Sequence, residues 1–159
     1  MENNIEELIK KFYSKDGIQR KMARYELVKI GKPAVKYLSS LLDAPKEYTR
    51  WEAIKTLSQI ADPETIPILI SSLENDDFDI RWMAAEALIN IGKKSIKPLL
   101  EYVISCKKSI FLLEGVHHVL KDLQFRKVFH DDVGIINKIE NYNMYSDITL
   151  AAEQLLSKN

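Results

Sequence analysis

The feature that most constrains this chain is a recurring tetrad. Arg20-Lys21-Met22-Ala23 returns as Arg50-Trp51-Glu52-Ala53 and again as Arg81-Trp82-Met83-Ala84, at spacings of 30 and 31 residues. A period of this length marks a supersecondary unit that stacks on copies of itself, because one unit alone cannot bury its apolar face. The third copy is the clearest. Over residues 80–91, IRWMAAEALINI, a wheel stepping about 100° per residue gathers Ile80, Ala84, Ala87, Leu88 and Ile91 on one face. Trp82, Glu86 and Ile89 fall on the opposite one, and Gly92 supplies a C-terminal stop.

The rest of the chain reads as further helices in pairs. Ile5, Leu8, Ile9 and Phe12 share one helical face; Asp16-Gly17 is a turn, and a helix over 18–30 turns Ala23, Leu27 and Ile30 inward. Pro33 opens the next helix, where its missing N–H costs nothing, and Val35, Leu38, Leu41 and Leu42 face inward. A break around Pro45 precedes a helix over 49–60, and Asp62-Pro63 starts another over 63–73. Beyond 80–91, pairs are expected over 95–104 with 109–122, and over 133–139 with 147–156, the last joined by the polar run 141–143. Residues 123–132 read as a longer connection or an extra helical turn. No segment alternates with period two, so no sheet is expected. The spacing predicts one domain over 1–159, in units of approximately 4–31, 32–61, 62–92, 93–122 and 130–158.

Composition narrows the function classes. With 46% hydrophobic and 29% charged residues the chain is expected to fold, and 23 basic against 23 acidic side chains leave no net charge. Bulk attraction to nucleic acid or to an anionic membrane is therefore not expected, although residues 1–60 hold 12 Lys/Arg against 8 Asp/Glu. A single cysteine, Cys106, rules out an intrachain disulfide and a thiolate metal cluster. No run approaches the roughly 20 apolar residues of a membrane span, and MENNIEELIKKF does not read as a signal peptide, which suits a cytoplasmic protein.

The unit TIPILISSLENDDFDIRWMAAEALINIG resembles the short HEAT-like repeat, the form also seen in phycobilisome lyase-type proteins. The likeness lies in Pro67, Leu69 and Leu73 of the first helix, the acids Asp76, Asp77 and Asp79 of the turn, and Ile80, Arg81, Ala84, Ala85, Ala87, Leu88, Ile91 and Gly92 of the second. The preceding unit keeps Arg50, Ala53, Leu57 and Ile60 but has Ile54 and Ala61 where the pattern has Ala and Gly. At a spacing of 31 the fourth unit departs further, with Leu112 for Arg, Gly115 for Ala and Asp122 for Ile. The resemblance implies a right-handed, all-α solenoid of about five stacked helix pairs, with second helices lining a concave surface.

Arg20, Arg50 and Arg81 stand at the first turn of each second helix behind an acidic turn. They are expected to tie units together by pairing with Asp16, Asp43 or the Asp76, Asp77 and Asp79 cluster. That cluster lacks the glycine and terminal glutamate of a calcium loop. His117 and His118 are adjacent and diverge by about 100°, so they do not form a two-histidine ligand pair. Cys106 beside Lys107 and Lys108 has no acid–base partner in the sequence. No cofactor, metal or catalytic constellation is expected.

Three columns oppose the buried stripes: Lys21, Trp51, Trp82, Leu113 and Thr149; Tyr25, Lys55, Glu86, His117 and Glu153; Val28, Ser58, Ile89, Leu120 and Leu156. Both tryptophans occupy one repeat position, flanked by aliphatic side chains and mixed charge. Such a surface suits a peptide or protein partner, with Lys21, Tyr25, Trp51, Lys55, Trp82, Glu86, Ile89, Leu113 and His117 as the candidate contacts. Two alternatives are weaker. A nucleic-acid-binding module is disfavoured because Glu52 and Glu86 interrupt the basic face, and a lyase-like accessory subunit would rest on fold analogy alone.

Overall fold

In a computed structural model, residues 2–106, 109–141 and 145–158 are described. They form helices α1 (Glu2–Lys11), α2 (Gly17–Ile30), α3 (Val35–Ser39), α4 (Glu47–Ile60), α5 (Ile66–Ser72), α6 (Phe78–Ile91), α7 (Lys93–Ser105), α8 (Ile110–Phe125), α9 (Ile135–Glu140) and α10 (Tyr145–Ser157). Short 3-10 turns at Lys32–Ala34 and Pro63–Thr65 lead into α3 and α5. Among the described residues there is no strand. The expected connection 141–143 lies largely outside them.

The long second helices pack side by side, α2 on α4, α4 on α6, and α6 on α8. Their partners form the other layer, where α1 meets α3 and α5 meets α7. The core runs between the layers, and the alanines of the repeat set its thickness. Ala53, Ala84 and Ala87 are fully buried beside Leu57, Leu88 and Leu69, because a small side chain lets helix axes approach while leucines fill the gaps.

Helix ends explain one departure from the repeat. Gly31 and Gly92 leave α2 and α6 at φ near 71° and 75° with ψ near −135° and −137°, a conformation only glycine adopts readily. Ala61 at the same position takes φ 52°, ψ 39° instead. Asp62 then caps the next turn by accepting from Glu64 N at 2.8 Å.

The last pair is reversed. The spacing predicts 133–139 as a first helix and 147–156 as a second, yet α9 packs on α8 and α10 packs on α7. Six residues of α9, with Ile135, Ile136 and Ile139 buried, cannot cover a 13-residue neighbour. The 13-residue α10 can, and it lays Ile148, Ala151, Ala152 and Leu155 inward. Thr149, Glu153 and Leu156 therefore do not continue the columns of the second helices. Residues 123–125 extend α8, and Asp131 in the connection accepts from the backbone N of Ile135 and Ile136 at 2.8 and 2.9 Å, capping α9.

Candidate functional site

Each arginine of the repeat closes its own turn with backbone carbonyls. Arg20 donates to the carbonyls of Ser14 and Lys15, Arg50 to Ala44, and Arg81 to Asn75 and Asp76, at 2.7–3.2 Å. The other side of each guanidinium reaches the next unit: Arg20 Nε lies 3.7 Å from Glu52, Arg50 Nη2 3.4 Å from Asp77, and Arg81 4.1 Å above the Phe111 ring. Among the described residues Asp77, facing Arg50 across the unit boundary, is the one expected carboxylate that pairs in this way. Asp16 and Asp77 cap α2 and α6, accepting from Ile18 N and Asp79 N, while Asp43 is exposed and Asp76 contributes its carbonyl. Among the described residues no group of three or more His, Cys, Asp or Glu is placed to hold a metal ion.

Glu52 does not interrupt the surface of the second helices. It is 4% exposed and forms an ion pair with Arg24, itself 6% exposed, across the α2–α4 contact. Arg24 also lies 5.7 Å from the centre of the Trp51 ring, whose other contact is Lys55 Nζ at 4.1 Å. Trp51 is thus partly buried under two cations of its neighbourhood.

Beyond its first turn the exposed arc of α6 is narrow. Phe78, Trp82 and Asn90 are exposed and Glu86 is partly so, a stripe at i, i+4 spacing. The Phe78 and Trp82 rings lie 6.4 Å apart, and Trp82 stacks at 4.4 Å on His118 of α8. His118 Nε2 is 2.9 Å from Glu86 Oε1. Phe111 and Glu114 of α8 complete the border of a shallow hollow of about 150 Å3, floored by Ala85 and Gly115. Phe78 is 62% exposed, Trp82 46% and Phe111 38%, so three aromatic rings meet solvent within one hollow. Lys21 and Tyr25 extend the exposed row onto α2, with Lys21 Nζ 5.7 Å from the Tyr25 ring centre.

Three of the candidate contacts, Ile89, Leu113 and His117, are not on this surface. Ile89 and Leu113 are 2% and 4% exposed. Second helices pack on both flanks, so Ser58 and Ile89 are closed between neighbours rather than open opposite the core. Leu113 and His117 are displaced for a different reason. Asp77 caps α6 and Ser109 caps α8, a spacing of 32 rather than 31. The row of Trp51 and Trp82 therefore continues at Glu114, and the row of Lys55 and Glu86 at His118. His117 falls in the inter-helix row of Arg24, Ile54 and Ala85, and its Nε2 is 4.0 Å from Glu140 of α9. Burial, reinforced by the nearby Lys121, lowers its pKa.

Phe78, Phe111, Glu114 and His118 escaped the sequence reading. The periodicity starts this helix at Ile80, although an apolar residue after Asp76-Asp77 is what an Asp-capped helix beginning at Phe78 would show. His118 and Glu114 were lost with the one-residue register shift.

An array of helix pairs whose second helices form a continuous layer is an α-solenoid, with its exposed side chains on ridges of that layer. The HEAT-repeat profile matches residues 5–89 and 35–111, and the chain belongs to that family. Among solved structures it is similar to a chain of the CpcE–CpcF complex of phycocyanin lyase from Nostoc sp. PCC7120, with TM-score 0.64 and 21% identity over 98% of this chain and 99% of that one. It also matches an engineered protein with TM-score 0.47 and 19% identity, over 96% of this chain and 78% of that one. No curated protein matches significantly. Among the described residues no helix is long and apolar enough to cross a membrane.

Proposed function

We propose that this chain is a non-enzymatic scaffold that binds a peptide or protein partner on the face of its second helices, with Trp82 as the central anchor. The observation that carries this reading is the aromatic hollow: Phe78, Trp82 and Phe111 are all more than a third exposed and border one depression between α6 and α8. Single exposed apolar residues are ordinary, whereas three convergent rings rimmed by Arg81, Glu114 and His118 have the make-up of an interface centre. The mixed charge of the rim favours a protein over a polyanion. Glu86, Glu114 and Asp79 would repel phosphates, so binding to generic duplex DNA near 0.15 M salt is expected to be weak. Lys55 and Lys21 add positive charge along the neighbouring helices and would set the partner's register.

The lyase-like accessory subunit is a second reading, favoured by the end-to-end match to one chain of a two-protein lyase complex. It is a special case of the same role, since an accessory subunit also acts by holding a protein.

The test is affinity capture with wild-type protein and with a Phe78→Ala/Trp82→Ala variant, each checked by thermal melting. The reading expects a partner that is retained by wild type and lost by the variant, with folding nearly intact. A partner retained equally by both would overturn it.

A further inference from the structure

A second concavity, sharing no residue with the aromatic hollow, opens between α7, α10 and the segment that follows α8, with a volume of about 470 Å3. It exists because the last helix pair is irregular. The short α9 stays on α8, α10 crosses to α7, and residues 126–134 bridge the gap without filling it. The interior is apolar. Ile96 and Leu100 stand one turn apart on α7, Leu155 and Leu156 face them from α10, and Val128 and Phe129 close the third side.

The rim is cationic. Lys93 and Lys97, also one turn apart, stand at the mouth with His130, and opposite them Lys158 is engaged by Asp132. Lys97 lies 3.9 Å from Glu101, with the two side chains 76% and 54% exposed, a contact that solvent screens heavily. Among the described residues Lys93 has no ion-pair partner. Among the described residues the positive charge at the mouth thus exceeds the negative, while the interior offers little but hydrocarbon.

We propose that this cavity binds the anion of a long-chain carboxylic acid, its acyl chain lying on Ile96, Leu156 and Val128 over a floor of Leu100, Leu155 and Phe129, and its carboxylate held at the mouth by Lys93 and Lys97. The volume falls in the range of small-ligand pockets, roughly 300–1,000 Å3. An acyl chain replaces water on apolar walls, which is favourable and non-directional, and the wall shape here sets no polar requirement along it. The carboxylate stays at an exposed mouth, so it gains cation partners without the desolvation cost of a buried charge. A neutral amphiphile would gain only the first of these terms, and a cationic one would be repelled.

The experiment titrates sodium dodecanoate, below its micelle concentration, into the full chain, followed by calorimetry and amide chemical shifts. Dodecyl maltoside serves as the neutral comparison. Two variants at exposed positions, Lys93→Glu/Lys97→Glu and Val128→Trp, separate head from tail, and their melting temperatures report whether the fold is kept. The expected result is one equivalent of dodecanoate, with shifts confined to residues near 93–100, 128–130 and 155–158. Affinity should fall at least about tenfold on charge reversal and be lost when the indole fills the cavity. Absence of dodecanoate binding up to about 1 mM, equal affinity for the neutral amphiphile, or indifference to charge reversal would overturn the proposal. So would a concentration-dependent dimer abolished by Val128→Trp, or occupancy by an acidic amphipathic peptide but not by dodecanoate.

Discussion

Replacing Glu52 by glutamine removes one negative charge and leaves the shape of the α2–α4 contact almost unchanged. In the folded protein the Arg24 and Glu52 side chains are 8% and 5% exposed, so neither is solvated by bulk water. Arg24 would then keep a full positive charge facing a neutral amide. Breaking a buried pair from one side costs about 3–5 kcal/mol, and because glutamine still offers an acceptor oxygen the lower end, about 3 kcal/mol, is expected. Arg20 loses its 3.7 Å neighbour as well, but it keeps its bonds to Ser14 and Lys15 and is the more exposed of the two arginines, which adds little. For a chain of this size the loss corresponds to a fall in melting temperature of roughly 6–12 °C. The pair as a whole contributes much less than its rupture costs. Replacing both partners, Arg24→Met with Glu52→Leu, should stay within about 1 kcal/mol of wild type, because an apolar contact between the helices needs no desolvated charges. Urea unfolding of wild type, Arg24→Met, Glu52→Leu and the double variant forms a double-mutant cycle that measures this directly, with Glu52→Gln unfolded beside them. A loss below about 1 kcal/mol for Glu52→Gln, or a double variant as unstable as the sum of its parts, would refute the reasoning.

Gly115→Ala should destabilise by about 1–2 kcal/mol in the same assay, since the overpacking penalty outweighs alanine's gain of about 1 kcal/mol in helix propensity. Its new Cβ would lie 2.9 Å from Leu73 Cδ2 and 3.3 Å from Leu73 Cβ, and Leu73 is fully buried and cannot swing aside. Ala61→Gly should stabilise by roughly 0.5–1 kcal/mol, because it relieves a left-handed alanine at φ 52° at some cost in chain entropy; an unchanged or lower melting temperature would contradict this. For His117 the folded pKa is depressed, so the unfolded chain takes up a proton first as pH falls. Its contribution is present above about pH 6.5 and is lost below it. His117→Phe should therefore melt with a smaller drop between neutral and mildly acid pH than wild type does.

How much of this was legible follows from what each signal depends on. The stacked helix pairs were legible because Ala53, Ala84, Leu57 and Leu88 repeat at a period set by the unit itself, and each is fully buried. The position of Trp82 was legible for the same reason, as the residue opposite the alanine stripe. Ile89 was not, because a wheel treats a helix as buried on one side whereas α6 is flanked by both α4 and α8. The fourth unit was misregistered by one residue because its arginine is absent. Without that marker nothing local distinguishes Leu112 from Leu113 or His117 from His118, and only the Ser109 cap fixes the start of α8. The exchange of α9 and α10 depends on relative helix length and a tertiary choice of partner. No residue pattern within 133–156 encodes it.

The claim at the centre is that Trp82 is a solvent-facing anchor whose exposure ends when a protein partner arrives. A Trp51→Phe variant makes Trp82 the sole tryptophan, so its emission and its collisional quenching by acrylamide report that one site. The account predicts ready quenching in the free chain, then a blue shift and marked protection when a partner recovered by the wild-type protein is added. Protection in the free chain would assign Trp82 to the core. Quenching that persists unchanged with the partner bound would remove the aromatic hollow from the interface.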